Sequence, residues 1–418
     1  MKRIILIFSF FPFIVNSQHY DTANWEHIST SNNKLEIPFT GEQQTASMVI
    51  DIDKDGIPEI FVTERTQTPS VVMYKYKGKQ WERYIIENEP LMIEAGSTHW
   101  DITGNGSPDL VFAGSGKSNE IWWWENPYPH FDKNTPWVRR IIKKDGAKKH
   151  HDVLFGDFTG NGRGELIFWN QGANALMMAE IPDNVREVDA WGYTPIYEYS
   201  GDSEMVQHGH EHYPPWKKIN EHEGLIAADI DGDGLQDIVG AGLWFKYKGA
   251  GGFIANLIDA RYTFSRVSAG QLIEGGRPEV ILAPGDGKAP LRIYEWKQGS
   301  RENQGTWHDK VIHDELWNAH SIDIIDFNGD GYMDIFVAEM NISRENPDAR
   351  AMILFGDGKG DFKEYIITKG FGHHESRIID LNGDGLYDIM GKPYNWNTPR
   401  LDFWLNKGKT IDLTQDLE

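Results

Sequence analysis

The chain has 418 residues, with 41 Lys and Arg against 63 Asp and Glu, for a formal net charge of −22. So acidic a chain is a poor match for nucleic acid or an anionic membrane surface, both of which recruit Lys and Arg. The absence of cysteine removes disulfide scaffolds, thiolate metal sites and cysteine nucleophiles, while 39% hydrophobic and 12% aromatic content is enough for a packed core.

In chain order, Lys2 and Arg3 give a basic start, residues 4–15 are almost wholly apolar, and Asn16 and Ser17 follow. This reads as a secretory signal peptide over residues 1–17, and the expected product is secreted or periplasmic. No later run approaches the length of a membrane span. A short strand is expected at Trp25-Glu26-His27-Ile28. Beyond it an acidic nine-residue loop begins at Asp51 and returns from Asp101, Asp157, Asp229, Asp326 and Asp380, with a degenerate copy over 271–279. Each copy sits between apolar strands, and a third and a fourth strand follow, the fourth often marked by an aromatic and paired β-branched residues. A period of about 50 residues with such alternation indicates a propeller array. The expected fold is all-β: a seven-bladed β-propeller with four-stranded blades, one domain over 18–418. The last repeat stops after its third strand at 401–406, so the N-terminal strand is expected to complete the last blade and close the ring. An insertion is expected at about 182–222, between blades three and four.

The loop pattern D-x-[DNT]-x-[DN]-G-x-x-[DE] has a chemical reason. Oxygen donors at positions one, three, five and nine, with glycine at six for the turn, can surround a calcium ion. The expected ligands are Asp51, Asp53, Asp55 and Glu59; Asp101, Asn105 and Asp109; Asp157, Asn161 and Glu165; Asp229, Asp231, Asp233 and Asp237; Asp326, Asn328, Asp330 and Asp334; and Asp380, Asn382, Asp384 and Asp388. The loops at Asp51 and Asp229, with four carboxylates each, are expected to bind best and those at Asp101 and Asp157 more weakly. The copy at Gln271 is expected to have lost its ion. The competing reading is that Asp, Asn and Gly simply make good turns.

These loops and their flanking strands resemble the FG-GAP/VCBS repeats of integrin-type and bacterial seven-bladed propellers, over nearly all of residues 25–406. The scaffold hosts adhesion, carbohydrate binding and catalysis alike. With histidines placed ahead of the loops, the chain further resembles propeller-type polysaccharide lyases that attack uronic-acid linkages, including rhamnose–glucuronate lyases, and the propeller domain of aldos-2-ulose dehydratase. That resemblance implies a carbohydrate-active lyase or dehydratase.

Six residues before each loop stand Thr45, Ala95, His151, Glu223, Ser265, His320 and His374, and one place earlier lie His150, His222 and His373. In a propeller the innermost strand lines the axis, so the first set is expected to converge on a funnel opposite the acidic loops. Connections expected on that face supply Arg65, His99, Trp244, Asn318, Lys392, Tyr394 and Asn395 as substrate-binding candidates, together with His374. Cations hold a carboxylate and aromatic faces stack on sugar rings. The segment His208-Gly-His210-Glu211-His212-Tyr213 reads as a solvated loop first, then as a substrate lid, then as a transition-metal site. For an acidic poly- or oligosaccharide, β-elimination follows. The uronate carboxylate is neutralised, a base takes the C5 proton, and an acid protonates the departing C4 oxygen. Histidine suits both tasks. His151 and His320 are the expected base and acid candidates, with neither role assigned to one of them, Tyr213 is a competing proton donor, and the funnel is also a candidate for a further divalent metal. A non-catalytic glycan- or protein-binding propeller is the alternative function, and a glycosidase using Glu64, Glu223 and Glu339 a further one.

Overall fold

Short strands with apolar side chains on both faces bury them only by stacking sheet against sheet. The computed structural model describes residues 18–199, 221–250, 252–299, 305–411 and 413. Among them the strands form seven antiparallel sheets, six of four strands and one of five. Blade one, for example, runs Gln44–Ile50, Glu59–Glu64, Val71–Tyr76 and Trp81–Glu87. The first strands of successive blades touch one another in a circuit that returns from the seventh to the first, so they surround the axis.

Between each pair of neighbouring blades lies one apolar cluster, seven in all among the described residues. The two-residue period of a strand explains how one segment serves two of them. Trp122 and Trp124 pack toward blade one, while Trp123 packs toward blade three. The tryptophan-rich composition is thus mostly inter-blade packing.

Ring closure follows the expected route. Trp25–Ser29 pairs antiparallel with Asp402–Asn406, from Trp25 opposite Asn406 to Ser29 opposite Asp402. This completes the seventh blade outside Arg377–Ile379 and Asp388–Gly391. A second clasp was not foreseen: His19–Tyr20 adds a fifth strand to blade six beside Phe362–Lys369. Trp25 is 1% exposed, and its indole N–H donates to the Tyr365 hydroxyl at 3.0 Å, tying the two blades together. Trp25→Ala is expected to cost about 3–5 kcal/mol, as for other buried aromatic truncations. Urea unfolding checks this, and an unchanged midpoint would mean the closing strand adds no stability.

The stretch read as an insertion at 182–222 begins differently. Tyr193–Glu198 is the fourth strand of blade three. It has aromatic residues but no adjacent pair of β-branched ones after them, and it carries Pro195, which an edge strand tolerates. His208, His210, His212 and Tyr213 lie outside the described residues, as do residues 1–17. No helix among the described residues is long and apolar enough to cross a membrane.

Candidate functional site in the axial cavity

The site is built where the inner strands begin. One residue after the counted register, four blades place a residue with positive φ: Gly96 at 91°, Asp152 at 49°, Gly224 at 82° and Glu375 at 54°. In blades two and three this coincides with breaks in pairing, between Ile93 and Ser97 and between His151 and Val153. Such bulges re-aim the neighbouring side chain. Glycine is required at 96, where an added Cβ would lie 2.5 Å from the Cα of Asp152.

The result is a cavity of about 320 Å³ lined by Arg65, His151, Glu223, His320, His374 and Tyr394, among others. His151 Nε2 lies 3.3 Å from Glu223 Oε1, and His320 Nε2 lies 3.6 Å from Glu223 Oε2. The ring of His374 stacks on His320 at 4.7 Å, with Tyr394 5.1 Å beyond. Arg65 donates to the Tyr394 hydroxyl at 2.6 Å and pairs with Glu94.

Behind this set runs a buried ionic chain. Asp152 Oδ2 contacts His151 Nδ1 at 2.8 Å and accepts the Gly224 N–H at 2.8 Å. Arg266 bridges Asp152 at 2.7 Å and Glu375 at 2.9 Å, and Arg377 reaches Glu375 at 2.8 Å. Burial disfavours charge on His151, but Glu223 and Asp152 outweigh it and raise its pKa. Burial works against Asp152 as well, yet Arg266 and His151 hold its carboxyl well below the usual range. His374 is the opposite case. Burial, with Lys392 and His320 nearby, drives it well below the ordinary imidazole value. One ring is therefore disposed to carry a proton and another to stay neutral.

His151, Glu223, His320 and His374 thus meet as expected, with Arg65 and Tyr394 at the same cavity. Several other candidates sit elsewhere. Lys392 does not reach the cavity; its ammonium donates to the backbone carbonyls of Gln44 and Thr45 at 3.2 and 2.6 Å and to His374 Nδ1 at 3.2 Å. Burial lowers its pKa to about 7. Trp244 packs into the cluster between blades four and five. Asn318 clasps a turn, accepting from Gly287 N–H and donating its own backbone N–H to Gly287 at 2.8 Å. His99 stands two residues before its acidic loop, at the far end of the inner strand Ile93–Trp100, because the count from the loop places the strand start at Ala95. Asn395 is exposed on the loop beyond Tyr394 and does not line the cavity. His150, His222 and His373 are buried in packing roles, His222 against Tyr199 at 3.6 Å and His373 between Thr368 and Ser376. Glu64 and Glu339 are held by their own loops: Glu64 accepts from Gln43 and Thr66, Glu339 from Trp317 and Arg350. The paired-carboxylate arrangement with Glu223 therefore does not form.

Asp152, Arg266 and Glu375 were missed. All three stand five residues before a loop, a place that on a straight strand faces away from the side on which His151, His320 and His374 lie.

On the opposite face the acidic loops close on themselves. Except in blade two, where Asp109 accepts from Thr103 at 3.1 Å, the ninth-position carboxylate accepts the second-position N–H, as in Glu59 with Ile52 at 3.0 Å and Asp388 with Leu381 at 3.0 Å. The first aspartate gathers its own loop's amides, as Asp326 does from Gly329 at 2.8 Å and Gly331 at 3.0 Å. Donor atoms of Asp51, Asp53 and Glu59, and of Asp229, Asp231 and Asp237, lie within 4.8 Å of one another, as do those of His151, Glu223 and His320.

The fold and its loops define a seven-bladed β-propeller built on a repeated acidic loop. Residues 101–168 and 276–337 match the FG-GAP-like repeat family, which spans parts of blades two, three, five and six. No curated protein matches the chain. Among solved structures, the V. cholerae biofilm matrix protein Bap1 is similar at 9% identity and a TM-score of 0.49, covering 90% of each chain. An arginine-to-alanine triple mutant of AofleA from Arthrobotrys oligospora is similar at 12% identity and a TM-score of 0.44, covering 83% of this chain and 91% of that one.

Proposed function

We propose that the protein is an exported carbon–oxygen lyase that cleaves a uronic-acid-containing poly- or oligosaccharide by β-elimination in the axial cavity. The observation that carries this reading is the meeting of His151 and His320, from separate blades, on the single carboxylate of Glu223. A module that only bound sugars would have little use for two proton carriers held on a buried acid. In this mechanism His151, favoured as imidazolium by Glu223 and Asp152, protonates the leaving C4 oxygen. His320 removes the C5 proton, and Arg65 with Tyr394 receives the sugar carboxylate and ring. Calcium in the acidic loops would brace the opposite face.

A second reading rests on the same trio. Two imidazoles and one carboxylate form a donor set suited to a divalent transition metal. Asp152 on His151 Nδ1 would then fix the ligand tautomer. Such an ion would neutralise the uronate carboxylate. The test is a panel of uronic-acid polysaccharides followed by the ultraviolet absorbance of unsaturated uronides, with and without prior chelation. Activity that survives chelation supports the proton-transfer form, and activity lost and restored by one metal supports the second. No product from any uronide, with glycan binding intact, would sink the lyase and leave a binding propeller.

A further inference from the structure

Two of the acidic loops differ from the rest in what fills them. In blade one the Lys75 ammonium lies 2.6 Å from Asp53, 2.8 Å from Asp55 and 2.5 Å from Glu59. In blade four Lys246 pairs with Asp231 and lies 2.5 Å from Asp233. Both lysines are largely buried, with side chains 8% and 12% exposed. Each comes from the third strand of its own blade. Ile60 pairs with Tyr74 and Ile238 with Phe245, so Lys75 and Lys246 stand opposite the ninth-position acids Glu59 and Asp237.

The sequence supplies an independent sign of the same arrangement. Lysine occupies that third-strand register only in blades one and four, the other five carrying Glu, Phe or Leu. Those two blades are also the only ones with aspartate at loop position three, where the others have Thr, Asn or, in the degenerate copy, Ile. The extra carboxylate and the lysine therefore occur together, and their charges cancel. In blades six and seven position three is an asparagine whose amide donates to the position-five aspartate, at 2.9 Å in Asn328–Asp330 and 3.0 Å in Asn382–Asp384. An ammonium donates hydrogen bonds to several oxygens at close to the spacing at which calcium gathers them, and it brings its charge on a covalent tether.

We propose that Lys75 and Lys246 are built-in cations that occupy the calcium position of blades one and four, making these two loops independent of calcium. The loops richest in carboxylate, which the spacing alone marks as the best calcium sites, are on this reading closed to it. Removing either lysine exposes a full oxygen set and creates a site.

Radiocalcium bound at equilibrium dialysis, counted per chain, tests this. Lys75→Met and Lys246→Met are each expected to bind one more calcium than the wild type, and to melt lower than it in chelator with recovery on adding calcium. In the reverse direction, Asp231→Asn in the wild-type background is expected to leave the calcium count unchanged. An unchanged count in well-folded Lys→Met variants would overturn the proposal. So would the loss of one calcium in Asp231→Asn, a measurement that holds even if the lysine variants do not fold.

Discussion

Replacing His320 by glutamine is expected to lower turnover on a cleavable uronide by about 10²–10⁴-fold with KM nearly unchanged, the range for losing a general acid or base. His151→Gln should cost a similar factor but differ in its pH profile. In the wild type, the rate should fall as pH rises through the raised pKa of His151, because the protonated donor is lost. That alkaline limb should vanish in His151→Gln. In Glu223→Gln it should move to lower pH, since one of the charges that favours the imidazolium is gone. Steady-state profiles of the three variants check this. An alkaline limb that stays in place in all three would remove His151 from proton transfer.

Arg266→Met is expected to destabilise the fold by about 3–5 kcal/mol near neutral pH, the cost of breaking a buried ion pair from one side. The substitution preserves much of the volume but strips Asp152 and Glu375 of their shared cation. In the wild type both carboxyls are held below their ordinary values, so their contribution is present above the usual carboxylate range and lost as pH falls through the depressed values. In the variant the sign reverses. Two buried carboxylates with less compensation titrate higher than in the unfolded chain, so the destabilisation should shrink as the pH drops toward about 5. Denaturant midpoints at the two pH values measure it, and a deficit that grows on acidification would contradict the assignment.

The repeat spacing was enough to read the blade count, the four-strand order and the closing strand, because each blade repeats the same local chemistry and an N-terminal strand had one unfilled edge to meet. The shared register ahead of the loops also brings His151, Glu223, His320 and His374 to one cavity. Register stops predicting direction where the backbone departs from a regular strand. Asp152 and Glu375 take positive φ, and no spacing rule for a straight strand would aim them at Arg266. Lys392 was misplaced because a long side chain on a funnel-side loop can turn inward to backbone carbonyls as readily as outward. Trp244 and Asn318 show that residues near a site in sequence are often spent on holding neighbouring blades and turns.

The joint between Trp25–Ser29 and Asp402–Asn406 also governs when this molecule can become itself. The two halves of that seam lie far apart along the chain, one ahead of the first blade and the other in the last, so the circle can shut only after residue 406 has emerged. Bringing such distant partners together carries a large loop-closure cost before any seam contact repays it. Until then Trp25–Ser29 has no edge to pair with, and the growing ring is an arc whose end strands stay open to other partners.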